Sequence, residues 1–281
     1  LDAGAAVLHV ERFRVMYDWK NYRPNYLCPD DLEEFWDTTL EELRATPLDA
    51  ETTRVFEDFP DWELYTVSYR SWKGKRVYGL LRVPKGAKLP LPIMIASHPG
   101  GRGWGINRGP DGVYGSKINA DPRFVTISPL VRGYEPDAPD IPFNHPWWGP
   151  LDSRDDYVAR EWYCTMVRGI DYMATRPELG NMSRLVVRGG SQGGALALVT
   201  AALDHRVAWC LADSPSNCML HDSVDPAKYS SFGPTAGQVP EGQTLDDLQR
   251  TLSYYDPAHL AQFIECPTVI GVNVGDMCVH S

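Results

Sequence analysis

The stretch LVVRGGSQGGALALVTAAL, residues 185–203, decides the fold. It opens with apolar, partly β-branched residues of strand length, crosses six residues of which four are Gly, and runs on into Ala, Leu and Val suited to a buried helix. Within it Gly189, Ser191 and Gly193 form a G-x-S-x-G pattern directly between strand and helix. Ser191 then sits on a tight strand-to-helix turn, where small neighbours let the chain close and let a substrate approach. The N-terminus of the following helix offers backbone N–H groups to a developing negative charge, so Ser191 is a candidate nucleophile and Gln192 a candidate oxyanion donor through its N–H. A Gly-rich connection without chemistry is the competing reading.

Outward from this stretch, apolar runs of strand length alternate with helical patterns. Strands are expected at residues 93–97, 124–128, 185–188, 207–212 and 268–274, and helices at residues 155–175, 192–203 and 257–263. That alternation means an α/β fold with a mostly parallel central sheet covered by helices on both faces. Upstream, residues 62–70 (WELYTVSYR) and 77–83 (VYGLLRV) flank Lys73-Gly74-Lys75 and read as a β-hairpin. Residues 30–45 place Leu32, Phe35, Trp36, Leu40 and Leu43 at helical spacing, and Pro47 lies just beyond. We expect residues 1–60 to form an N-terminal extension packed on the core and residues 61–281 to form the main domain. Residues 100–121 and 131–153 are irregular and rich in Gly, Pro and aromatics, and loops of that length in a compact domain usually carry function.

Of the 281 residues, 43% are hydrophobic and 23% charged, which suits a globular chain. Lys and Arg number 27 against 37 Asp and Glu, a net charge of −10, so a phosphate backbone would be repelled and nucleic acid is excluded as an expected partner. No run approaches the length of a membrane span, so no membrane partner is expected. The six cysteines show no C-x-x-C pair; they read as free thiols, with a Cys210–Cys218 disulfide left open. His9, His145, His205, His221 and His259 show no metal-ligand spacing, so neither metal nor other cofactor is expected. Leu1 opens the chain without Met and without a basic, apolar leader, which reads as a processed product or a fragment and leaves the compartment undefined.

A serine elbow needs a second oxyanion donor from the loop after an earlier strand. His98-Pro99-Gly100-Gly101 follows IMIAS in that place; Pro99 has no N–H, so the donor is His98 or Gly100. The acid of a triad is expected after a later strand, and Asp276 follows TVIGVNVG there. His280 is the one histidine downstream of it, four positions on. Trp104, Trp147 and Trp148 lie in the two long loops, where an indole face can stack on a sugar ring or pack in a core or subunit interface.

The residues also carry a resemblance. DLEEFWDTTLEELRATPLD (31–49), YTVSYRSWKGKRVYGLLRVPKG (65–86), YVAREWYCTMVRGIDYM (157–173), RGGSQGGALAL (188–198) and TLSYYDPAHLAQFIECPTVIGVNVGDMC (251–278) resemble the acetyl xylan esterase and cephalosporin-C deacetylase family, carbohydrate esterases among the α/β-hydrolases. The resemblance implies Ser191 as nucleophile, Gln192 as oxyanion donor and Asp276 as the acid. The family's R-G-Q signature stands here as Arg132-Gly133-Tyr134, its oxyanion loop as His98-Pro99-Gly100, and its C-P-P as Cys278-Val279-His280. Its catalytic histidine falls beyond Ser281, so the C-terminal end of the hydrolase domain is expected to be missing, with His280 as the substitute base otherwise. The implied activity is a serine esterase that removes O-acetyl groups from acetylated sugars or xylo-oligosaccharides through an acyl-enzyme, in a homo-oligomer. A prolyl-oligopeptidase-like peptidase and a non-catalytic carbohydrate-binding relative are the alternatives.

Overall fold

The computed structural model describes residues 27–55, 59–100, 121–131, 151–220, 224 and 236–272. The described elements run α1 (Leu32–Ala45), β1 (Glu51–Arg54), β2 (Trp62–Arg70), β3 (Arg76–Pro84), β4 (Leu91–Ser97), β5 (Val125–Leu130), α2 (Val158–Ala174), β6 (Gly180–Gly190), α3 (Gln192–Leu203), β7 (Trp209–Asp213), α4 (Leu245–Ser253), α5 (Pro257–Leu260) and β8 (Thr268–Gly271). Eight strands form one sheet in the order β1-β2-β3-β5-β4-β6-β7-β8. The β1-β2-β3-β5 side is antiparallel, because the hairpin joins neighbours by a short turn, whereas β5, β4, β6, β7 and β8 are parallel. Every residue of β5 is buried, the pattern of a strand covered on both faces. The α/β reading, the hairpin and the parallel sheet are thus what the chain forms.

Helix α3 occupies residues 192–203 as the sequence predicts, and its boundary at Gln192 follows from the glycine turn. Other boundaries differ for identifiable reasons. The long helix starts at Val158 and not at residue 155, because Tyr157 is extended (φ −61°, ψ 131°). The strand expected at residues 185–188 begins at Gly180, since the chain pairs with Leu91 and Pro92 before a bulge lets Ile93 face Leu185. The strand expected at residue 207 starts at Trp209, because Val207 N–H turns back to Asp204 O at 3.1 Å. Residues 257–263 form one α-turn followed by a 3₁₀ turn at Ala261–Phe263. The last strand is described as Thr268–Gly271; the remainder of the expected span, from residue 273, lies outside the described residues. Strand β1 (ETTR) and helix α4 were not expected: β1 is exposed at all four residues and shows no alternation, while α4 carries a Thr244–Asp247 capping box.

The core beneath the sheet is aromatic where α1 meets the turn between α4 and α5. Leu32, Phe35, Trp36, Leu40 and Leu43 form the buried stripe of α1. Trp36 Nε1 donates to Tyr254 O at 2.9 Å, and its ring lies 5.6 Å from those of Tyr255 and Tyr163. Helix α2 buries charge as well as apolar surface, and each buried charge is partnered. Arg160 donates to Thr39 Oγ1 at 2.7 Å and lies over the Trp72 ring, while Arg168 donates to Arg70 O and Thr46 O at 2.9 Å each. No described helix is long and apolar enough to cross a membrane. The five described cysteines, Cys28, Cys164, Cys210, Cys218 and Cys266, are free thiols.

Because Trp36 joins burial to a buried hydrogen bond, Trp36→Phe is expected to cost about 1–3 kcal/mol by leaving Tyr254 O without its indole donor. Urea unfolding of both proteins checks this, with the midpoint falling and the m-value unchanged.

Candidate active site

The carboxyl ends of the parallel strands lie side by side, the place where α/β sheets bind ligands. Ser97 pairs with Gly189, Gly189 with Ala212, Gly190 with Asp213, and Asp213 with Gly271. Ser191 follows directly, at the head of α3, with φ 54° and ψ −123°. A non-glycine residue there costs about 1–3 kcal/mol and persists only where its surroundings impose it. Three glycines show what imposes it. A Cβ on Gly189 would lie 2.2 Å from Gly193 O, one on Gly193 2.6 Å from Ser97 O, and one on Gly194 2.9 Å from Asp213 O. Only glycine fits at these close approaches, so α3 enters against the ends of β4 and β7.

Hydrogen bonds complete the clamp. Ser191 N–H donates to Asp213 O at 2.9 Å, and Ser191 O accepts from Ser216 N–H at 3.0 Å as well as from Ala195 N–H inside the helix. From the β4 side, Ser97 Oγ lies 2.7 Å from Gly193 O and 3.0 Å from Arg188 O. Neither Ser97 nor Asp213 was singled out in the sequence; both act through geometry that only the packed sheet reveals, and no local pattern marks them.

Around Ser191 the structure brings together three further residues that the sequence singles out. His98 O lies 2.9 Å from where a Gly193 Cβ would sit, and Gly100 faces the Gln192 side chain, its added Cβ 3.4 Å from Oε1. Gln192 is buried, and its Nε2 has no hydrogen-bond partner among the described residues. The first backbone N–H groups of a helix have no partner within it, so α3 presents N–H groups and the positive end of its dipole beside Ser191. The His98 ring is fully buried with Nδ1 3.0 Å from Pro99 O, an arrangement that takes Nδ1 as the protonated nitrogen. Burial brings its pKa down to about 4, opposed by that hydrogen bond. Asp276, Trp104, Trp147 and Trp148 lie outside the described residues, as does His280. Among the described residues no three His, Cys, Asp or Glu side chains converge as metal ligands.

Two outcomes follow from this geometry. Gly193→Ala is expected to cost about 1–3 kcal/mol, because the backbone of Ser97 and His98 must move, while Gly100→Ala, in ordinary contact with Gln192, stays within about 1 kcal/mol of the parent; thermal unfolding separates them. For His98 the native pKa lies below the unfolded one, so the unfolded chain binds the extra proton first as pH falls. Stability should therefore fall from pH ~6.5 to pH ~4, by up to about 3 kcal/mol from this group. His98→Asn, measured by urea unfolding across the same range, should lose that part of the decline.

Comparison with known proteins places the chain in one family. The family model described as acetyl xylan esterase (AXE1) matches residues 15–280. Acetyl esterase Axe7A of Xylanibacter ruminicola is 30% identical in an alignment 264 positions long that covers 88% of this chain and 57% of that protein. The chain thus spans little more than half the length of this curated relative. Among solved structures, the acetyl xylan esterase from Paenibacillus sp. R4 aligns with a TM-score of 0.69 at 27% identity, covering 89% of this chain and 81% of that one. Acetyl xylan esterase 1 from Thermoanaerobacterium sp. JW/SL YS485 aligns with a TM-score of 0.70 at 21% identity, covering 89% and 80%, a likeness of fold. The sheet order and these likenesses make the fold an α/β-hydrolase fold. Matched over nearly its whole length, the chain belongs to the acetyl xylan esterase family.

Proposed function

We propose that this chain is a carboxylic ester hydrolase that removes O-acetyl groups from acetylated sugars or xylo-oligosaccharides through an acyl-enzyme on Ser191. The observation that carries the reading is the backbone of Ser191: a non-glycine residue at φ 54°, at the strand-to-helix turn of a G-x-S-x-G motif, in a chain of this family. In this scheme Ser191 Oγ attacks the acetyl carbonyl while a histidine downstream of Asp276, oriented by that carboxylate, takes the serine proton. The N–H of Gln192, with that of His98 or Gly100, holds the oxyanion. The histidine returns the proton to the departing sugar oxygen. Water then attacks the acyl-enzyme, giving acetate and restoring Ser191.

The indoles of Trp104, Trp147 and Trp148 would offer stacking faces for the sugar ring in this reading. A homo-oligomer that narrows access to the site would favour short acetylated oligosaccharides over polymer. The first rests on the place of these residues in the two long loops, the second on the family resemblance.

The test compares acetylated xylo-oligosaccharides with peptide amides on the full-length protein and its Ser191→Ala variant. Acetate release by the parent, reduced at least about 1,000-fold in kcat by Ser191→Ala, is the expected result. Preferential cleavage of peptide amides, or saccharide binding without turnover, would overturn it.

A further inference from the structure

The segment that leaves β7 is bonded to the Ser191 elbow at one end and to a distant carboxylate at the other. We propose that Asp256 is a positioning residue for the nucleophile: it fixes residues 219–220, and through them the segment 213–216 that bonds Ser191. The functional part of this inference rests on the esterase reading above.

The near end is the wall of the elbow opposite β4. Asp213 O accepts from Ser191 N–H, Ser216 N–H donates to Ser191 O, and Ser214 N–H donates to Gly271 O at 2.8 Å. Pro215 Cα lies 3.0 Å from where a Gly194 Cβ would sit. The segment is itself strained, for Ser214, Asn217 and Met219 have φ of 41°, 60° and 57°, and none is glycine. Such a run does not hold itself; something outside it must over-determine its path.

Asp256 is that element. Its carboxylate is buried, and Oδ1 accepts from Met219 N–H at 2.9 Å while Oδ2 accepts from Leu220 N–H at 2.6 Å, 36 residues away along the chain. Oδ1 also accepts from Ala258 N–H at 2.9 Å, capping α5. Capping alone would need one oxygen. The other bonds reach across to the far segment, and α5 itself packs on α3, so the carboxylate ties the loop beyond β7 to an element packed on the helix that Ser191 heads. His259, Tyr163 and Cys218 interact electrostatically with the carboxylate; burial raises its pKa, while His259 and the three N–H donors act in the opposite direction.

Asp256→Asn tests this, because the amide replaces an acceptor oxygen with a donor that must face an N–H. Asp256→Ser is the second variant, retaining a capping oxygen for Ala258 N–H but not the reach to residues 219–220. Leu260→Ala is the control, cutting the same buried region without touching these bonds. With a soluble acetyl ester and a fluorophosphonate probe, both Asp256 variants should lose about 10- to 100-fold in kcat and in the rate of Ser191 labelling, with KM little changed. Leu260→Ala should lower the melting temperature and leave both rates near the parent's. Parent-like rates in the Asp256 variants, or equal losses in Leu260→Ala, would overturn the proposal. If the parent neither labels nor turns over, the esterase reading fails alone, and amide hydrogen exchange decides the positioning claim. Exchange at Ser216, Met219 and Leu220 faster by about 10-fold or more in the Asp256 variants but not in Leu260→Ala supports it; unchanged exchange overturns it.

Discussion

The close approach of the first turn of α3 to the ends of β4 and β7 is the constraint on which the rest of the site depends. Gly193 lies where a Cβ would meet Ser97 O and His98 O, and Gly194 where one would meet Asp213 O and Pro215. With the helix seated that deeply, the chain has no room for an ordinary turn between β6 and α3, and Ser191 takes a positive φ. The strain of about 1–3 kcal/mol is offset by the burial of α3, every residue of which is covered. Once the turn is made, the same contacts bring Gln192, His98 and Gly100 beside the serine.

Seating the helix requires its far end to be held too. Asp204, the C-cap of α3, is bonded by Arg206, whose Nη2 lies 2.6 Å from Asp204 and 2.6 Å from Asp171 on α2. Arg168 reaches the other oxygen of Asp171 at 2.8 Å. Helices α2 and α3 are thus linked by charge at the end away from Ser191 and by apolar packing along their length. Exposed ion pairs contribute little, but Asp204 is buried, so the loss of Arg206 would leave an unpaired charge inside.

Much of this was legible in the residues, and the physical reason differs from element to element. The strand–Gly–Ser–Gly–helix pattern at residues 185–203 is local, so its reading located α3 and the elbow. The α1 stripe was legible because an amphipathic face leaves a 3.6-residue period. Strand β1 was not, since an exposed polar edge strand has no alternation to find. The Thr244–Asp247 capping box of α4 was a usable signal that periodicity alone did not pick out. Ser97, Asp213 and Asp256 were beyond sequence reasoning: Asp256 bonds Leu220, 36 residues away, and Ser97 meets Gly193 across 96, contacts that exist only once the sheet order is set. Asp276 and the loop tryptophans were proposed from position and resemblance, and they lie outside the described residues.

The central claim is that the strained turn makes Ser191 a nucleophile. The most direct measurement is peptide mapping by mass spectrometry of the full-length protein after reaction with a fluorophosphonate. The account predicts one adduct, on the peptide containing Ser191, that blocks deacetylation in proportion to its formation. An active protein that stays unmodified, or one modified at another serine with loss of activity, would contradict it.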